Sequence, residues 1–572
     1  MKLDAISLSI LWDRLISTCN EQVAALLKTS FSPVVREAGD LAAGLFDPEG
    51  RMLCQPITGT PGHINPLSTG VKNMLREIPS AALKPGDVLV TNDPWLTTGQ
   101  LLDVTVLVPI FRQGNLVAHF AATCHMVDIS GYGPGSGATD VYEEGMQLPI
   151  MYLRREGVMD PTLETLFRWN IRDPEHFIGD LNAMVASCYV GGQKLVSLLD
   201  EYNLAGLAEI GEEILARSRR AQREAIRRIP DGIYEGGLTI DGFEEPIHLV
   251  STVTVRDGEV DIDFAGTSPE SPRGINVVLN YAAGYATFAI RSATAPEIPN
   301  NDGCMELIRV HAPPGCILNA KRPAPTSGRH LVGQFATEAV LDALRTVIPE
   351  RALADGAGAI STVEVRGRDG ERQFTLFVTI SGGMGARPTK DGLSTVSFPA
   401  CIASVPVEVW ETTIPVFIHR RALRQDSGGA GTFRGGLGQT VEFSVPFVDR
   451  WLANLMTDRN IFPARGFAGG HDGALGRLCL QSGEALPTKG RATFTRDQVV
   501  CLETAGGGGW GDPRKRAVEA VAADVQEGYV SESAAREVYG VVCDAQGGWQ
   551  RETREGVGKS SQVNSHERGS EQ

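Results

Sequence analysis

The 572-residue chain reads as an α+β protein: helix-rich in its first part, strand-rich in its second, helical again near its C-terminus. Three observations lead there. Ile6, Ile10, Leu15, Val23 and Leu27 recur at helical spacing between Leu3 and about Phe31. The residues from Val104 to Cys124 alternate with period two around Gln113-Gly114, the pattern of a β-hairpin. Past Pro230, apolar runs flank Asp257-Gly258 and Asp369-Gly370, both strong hairpin turns.

The elements follow in order. Pro33 ends the first helix, and Asp47-Pro48-Glu49-Gly50 turns a short strand pair between Leu45 and Leu53. A helix is expected over Leu67–Leu75 and an apolar strand over Val88–Thr91, introduced by Pro85-Gly86-Asp87. After the hairpin comes a glycine-rich loop, Gly131 to Gly137, then helices over Leu163–Trp169, Phe177–Leu199 and Leu204–Ile229. Strands dominate from Pro230, interrupted by a helix at Gln334–Val347, and return from about Thr432 to Leu502. Pro513 to Tyr539 reads as helical. The expected organisation is a helix-rich part (1–230) carrying the site, a strand-rich part (231–512), a C-terminal helical segment (513–550) and a disordered polar tail (551–572).

Parity within the hairpin carries the first functional expectation. Val104, Val106, Val108 and Ile110 are apolar, and so are Leu116, Ala118, Phe120 and Ala122. Cross-strand partners share a face, so even residues pair with even ones. A three-residue loop, Gln113 to Asn115, meets that requirement, sets Arg112 opposite Leu116 and places Asp103 opposite His125. Carboxylate and imidazole would then lie roughly 5 Å apart at Cβ. A two-residue turn would instead pair Asp103 with Cys124, and an ordinary structural hydrogen bond is the plain alternative to a working pair.

Composition excludes several classes. With 42% hydrophobic and 21% charged residues the chain is of soluble globular type, and no run of about 18 apolar residues suggests a membrane span. A net charge of −16 argues against nucleic acid as a partner. Ten scattered cysteines without a CxxC and an N-terminus without a secretory pattern point to a cytoplasmic protein. There is no phosphate-binding GxxxxGK[ST] loop and no GxSxG elbow. Gly506 to Gly511 lacks the strand-loop-helix setting of a dinucleotide fingerprint, so turns or close packing explain it better.

Polar motifs concentrate in the first 190 residues: Arg36-Glu37 with Asp40, Asn92-Asp93-Pro94, Gly99-Gln100 through Asp103, His125 through Asp128, Glu143-Glu144-Gly145, and then Asn170, Arg172 and Asp180. Gln100, Asp103 and His125 could offer a divalent metal three groups at one hairpin mouth. Asp128 could orient the imidazole from behind. The candidate catalytic residues are Asp103, His125, Asp128, Glu37 and Asp40.

These segments resemble the hydantoinase B/oxoprolinase family. The resemblance runs through TSFSPVVREAGD from Thr29, GDVLVTNDPW from Gly86, GQLLDVTVLVPIF from Gly99, CHMVDISGYGPGS from Cys124, DFAGTSP from Asp263, DSGGAGTFRGGLG from Asp426, ETAGGGGWGDP from Glu503 and VSESAAREVYGVV from Val530. It implies a B-type subunit working with an ATP-binding A-type subunit, which would carry ATP and Mg and activate a cyclic amide such as 5-oxoproline or a hydantoin. It also implies a zinc or manganese site built from an HxxD pair and a later His. Here Asp103 and His125 match, but Gln100 stands where the first His belongs, and a neutral amide is a poorer ligand than imidazole. Met126 stands where many relatives have a second His, and Ser130 where they have Gly. A ketone carboxylase subunit and a metal-free scaffolding subunit are the alternative readings.

Overall fold

The computed structural model describes residues 4–552. Its centre is a seven-stranded antiparallel sheet with the spatial order β2-β1-β5-β4-β3-β6-β7. The strands are β1 (Leu41–Phe46), β2 (Met52–Cys54), β3 (Val88–Thr91), β4 (Asp103–Arg112), β5 (Asn115–His125), β6 (Met151–Arg155) and β7 (Val158–Met159). Both faces are covered, which is why strand residues of either parity are apolar. Val104, Val106, Val108 and Phe120 join the large core with helices Ala5–Thr29 and Pro174–Glu201. Leu107, Ala121, Leu89 and Phe46 pack on Ile64, Leu67, Val71 and Met74 of helix Pro61–Glu77.

The hairpin register agrees with expectation, although its turn does not. Gln113 and Gly114 form a two-residue turn with φ of 50° and 83°, pairing Arg112 with Asn115. A register shift between Ile110 and Phe111 inserts one extra residue on β5, so Ile110 pairs with Ala118 and Asp103 with His125. The bulge repairs the parity that the shorter turn would have broken. Burial of the alternating apolar set on the helix-covered face is the physical reason the ladder tolerates that irregularity.

Beyond residue 230, a four-stranded sheet (Gly232–Ile240, Ile247–Arg256, Glu259–Asp263, Ile308–His311) packs against helices Leu279–Thr294 and Phe335–Leu344. Helix Leu279–Thr294 lies where the sequence pattern predicts strands, a correction. Its Tyr281, Ala282, Tyr285, Ala286, Ala289 and Ile290 form a buried helical stripe. Two further four-stranded sheets, one from Ser361–Asp369, Arg372–Ile380, Arg450–Met456 and Lys489–Thr495, the other from Phe417–Leu423, Gln439–Ser444, Arg477–Leu480 and Val500–Glu503, enclose a second core around Val365, Phe443, Trp451 and Leu502. The region 513–539 is only partly helical, as Val518–Gln526 and the short turns Pro513–Lys515, Glu532–Ala534 and Ala535–Tyr539, and a small hairpin, Val541–Cys543 with Trp549–Arg551, follows it. The tail expected past about Arg551 falls almost wholly outside the described residues.

The glycine clusters form a packed unit of backbone. The run Gly506–Gly509 threads between segments near Ala386, Gly429, Gly436 and His471. Gly507 N donates to Gly436 O at 3.0 Å, Gly508 N to Asp355 O at 2.8 Å and Gly509 N to His471 O at 2.9 Å. A Cβ at any of these three positions would come closer than 3.0 Å to a neighbouring carbonyl. Close approach of backbones is what selects glycine here.

Candidate active site at the mouth of the central hairpin

Three adjacent strands end together. Asp103 opens β4, His125 closes β5, and Asp40 immediately precedes β1, its carbonyl accepting from His125 N at 3.2 Å. Helix Pro61–Glu77 lies over this edge and brings His63, in its first turn, down onto the carboxylates. The turn Thr326–His330 supplies Arg329 from the other side. Asp40, His63, Gln100, His125, Arg329 and His330 line a tight cavity, closed on one side by Phe377, whose ring stacks on His125 at 4.9 Å.

Asp103 is fully buried and completely engaged. Its Oδ1 accepts from the Gln100 amide nitrogen at 2.7 Å and lies 3.1 Å from His125 Nδ1. Its Oδ2 faces His63 Nε2 at 2.9 Å and the Arg329 guanidinium. Burial acts to raise this carboxyl, but Arg329 and His63 overcome it and hold it well below the usual carboxylate range. His63 is clamped between two acids, with Asp40 Oδ1 3.4 Å from its Nδ1. Burial pulls its pKa down, and the charges of Asp103 and Asp40 more than reverse this, so the net shift is upward. His330 goes the other way: burial, then the charge of Arg329, lowers it to about 3, leaving a neutral ring 3.3 Å from Thr362 Oγ1. The Nε2 atom of His125 is buried and has no hydrogen-bond partner among the described residues.

Of the residues expected from sequence, Asp103, His125, Gln100 and Asp40 converge here. Two do not. Glu37 is paired with Arg36 at 2.9 Å away from the cavity. The Asp128 carboxylate accepts from Arg172 N at 2.7 Å and Ser130 N at 3.2 Å and pairs with the Arg172 guanidinium. It therefore holds a neighbouring loop rather than the His125 ring. Sequence patterns alone did not single out His63, Arg329 and His330. For His63 a signal existed: Thr60-Pro61 is a helix start, with Pro at the first helical position, and it extends the expected helix backward to include the imidazole.

The sequence profile of the family described as Hydantoinase B/oxoprolinase matches residues 4–513. The chain belongs to the hydantoinase B/oxoprolinase family. This member is 30% identical to the caprolactamase beta chain of Pseudomonas jessenii over 95% of its own length and 97% of that protein. It is 28% identical to the B component of a putative D-/L-hydantoinase of a Pseudomonas species, over 94% and 95% of the two chains. The solved ATP-dependent caprolactamase from Pseudomonas jessenii superposes with a TM-score of 0.86 at 29% identity, covering 96% of this chain and 98% of that one. A nucleotide-free acetone carboxylase shares the fold, with a TM-score of 0.86 at 20% identity over 96% and 81% of the chains.

The metal that the family resemblance implies finds a poor match in these donors. Gln100 turns its amide nitrogen, a donor, toward both Asp103 and His125, at 2.7 and 2.8 Å. The other carboxylate oxygen already faces the Arg329 guanidinium. Among the described residues no three His, Cys, Asp or Glu side chains are arranged to hold a metal ion. A divalent ion placed here would add positive charge beside Arg329 and require the Gln100 amide to turn over.

Proposed function

We propose that this chain is the B-type subunit of an ATP-dependent cyclic amidohydrolase, which opens a lactam or imide ring of the 5-oxoproline or hydantoin kind together with an ATP-binding A-type subunit. The observation that carries the reading is the buried Asp103–His125 pair with its free Nε2, in a chain similar over nearly its whole length to a caprolactamase component. Hydrolysis of a small cyclic amide needs a polarised carbonyl and an activated water, and ATP hydrolysed on the partner, to ADP and phosphate with a water of its own, supplies the driving force.

Asp103 suits the activation of water by orienting the imidazole. Its negative charge favours the tautomer with the proton on Nδ1, directed at Oδ1, so the lone pair sits on Nε2 in the cavity. The Gln100 amide nitrogen also donates to Oδ1, at 2.7 Å. A water in the cavity loses its proton to Nε2 as its oxygen bonds to the acyl carbon. The same proton then passes to the ring nitrogen as the C–N bond breaks. Asp40 and His63 brace Asp103, and Phe377 fixes the plane of the His125 ring.

The test is reconstitution with the partner from the native source. ATP-dependent ring opening without bicarbonate, lost in His125→Gln and Asp103→Asn, is the expected outcome. Product that incorporates bicarbonate carbon would make the complex a ketone carboxylase. Turnover unchanged in both variants would reduce this chain to a scaffold.

A further inference from the structure

We propose that Arg329 takes over in this chain the electrophilic role that the family resemblance assigns to a metal: its free Nη1 edge binds the oxygen of the acyl carbon under attack, while Gln100 and Arg329 together satisfy Asp103 without a cation. The proposal rests on the amidohydrolase reading for the identity of the ligand, but its structural half stands independently.

Arg329 is built in as a fixed group. Nε donates to Thr98 O at 2.8 Å, Nη2 pairs with Asp103, and the guanidinium carbon lies 4.0 Å over the Tyr281 ring. The residue is 2% exposed. Its stem presses so closely on Gly99, which has φ of +100°, that a Cβ there would lie 2.9 Å from Arg329 Cδ. The turn that presents it is tied down as well: Glu144 accepts from the amides of Thr326 and Ser327 at 2.6 and 2.7 Å, and Arg329 N donates to Thr326 O at 2.9 Å.

One corner of the guanidinium is left over. Among the described residues the hydrogen bonds of the guanidinium run from Nε and Nη2 and none from Nη1, and Arg329 lines the same cavity as His125, whose Nε2 is buried without a partner. A base and a fixed cation thus line one small space. As water adds and its proton moves to Nε2, the carbonyl π electrons move onto oxygen, and the charge developing there meets the Nη1 hydrogens. When the carbonyl re-forms, the C–N bond breaks and the ring nitrogen takes the proton from His125. The guanidinium acts electrostatically and neither gains nor loses a proton. Donors held in place before charge develops contribute roughly a hundredfold to a thousandfold in rate.

Two measurements test this. The full chain, purified without chelator, is examined by native and elemental mass spectrometry and by thermal melting with added zinc or manganese chloride. No bound transition metal and an unmoved melting midpoint are expected. One equivalent of tightly held metal, or a midpoint raised by several degrees, overturns the proposal. In the reconstituted complex, Arg329→Met is expected to lower kcat roughly a hundredfold with little change in KM, and added guanidinium ion is expected to restore part of the loss. Arg329→Lys, which keeps a buried charge beside Asp103, serves if the Met variant does not fold, and is expected to fall roughly tenfold or more for want of the second donor edge. Full activity in either variant overturns the proposal. A complex that opens no cyclic amide at all counts against the functional reading, while the metal measurement still decides the structural half.

Discussion

The hairpin mouth and the glycine bundle achieve precision by opposite means. At the mouth, Gln100, His63, His125 and Arg329 arrive from separate segments and satisfy one buried carboxylate, so the site is specified by what each residue carries. In the bundle, Gly383, Gly436 and Gly507 pass so close that a single methyl group at any of them meets backbone. That unit is specified by what its residues lack. The difference teaches where substitutions hurt: the mouth fails by unpaired charge, the bundle by steric exclusion.

Gly507→Ala should break the comparison most severely. Its Cβ has no side chain to push aside, only the Met384 carbonyl and the adjoining Gly385 amide, so loss of soluble protein or a destabilisation of about 3 kcal/mol or more is expected from denaturant unfolding. Asp103→Ala comes next. It leaves Arg329 and His63 without their shared counter-charge in a buried site, and about 3–5 kcal/mol of stability should go with the activity. Stability near wild type in that variant would mean the mouth is solvated and its charges are weakly coupled.

A smaller effect is expected from Glu144→Gln, read as pH dependence. Burial pushes the Glu144 carboxyl from its usual 4.5 to about 8. Folding therefore takes up a proton between these values. The contribution of this group is full below the unfolded value and is lost as pH rises through the folded one. The fall in melting midpoint between about pH 5 and about pH 9 should be shallower in Glu144→Gln, which keeps an oxygen for the Thr326 and Ser327 amides. Parallel curves for the two proteins would contradict the assignment. Smallest of all is Gly114→Ala at the hairpin turn. Its φ of +83° favours glycine, yet a Cβ there meets nothing within 4 Å, so a loss of about 1 kcal/mol is expected. A glycine needed for its dihedral and one needed for its missing side chain would thus be separated by measurement.

Much of the first body was legible in sequence because periodicity is a local property. The helix Ala5–Thr29, the strand Val88–Thr91 and the turn at Asp47 to Gly50 all follow from apolar spacing and turn residues. Helix Leu279–Thr294 was not, because Gly284 and the threonines weaken its intrinsic propensity and its stability comes from burying Tyr281 and Tyr285. The C-terminal segment departs from continuous helix for the converse reason. Its helical spacing is real over Val518–Gln526, but Gly528 with φ of +74° ends the element.

By itself the sequence pointed to Asp103 and His125 facing each other, through a parity that pairs even residues with even ones. It did so through a wrong turn length, because the bulge that restores the parity answers to packing and not to the turn residues. Only the tertiary structure decided what surrounds that pair. His63 and Arg329 lie 40 residues before and 226 residues after Asp103, and no local pattern encodes a meeting over such separations. Their approach depends on helix Pro61–Glu77 capping the sheet edge and on a missing side chain at Gly99. Charges at long range are placed by the packing of the elements that carry them, and so the chemistry of this mouth became readable only once the chain was folded.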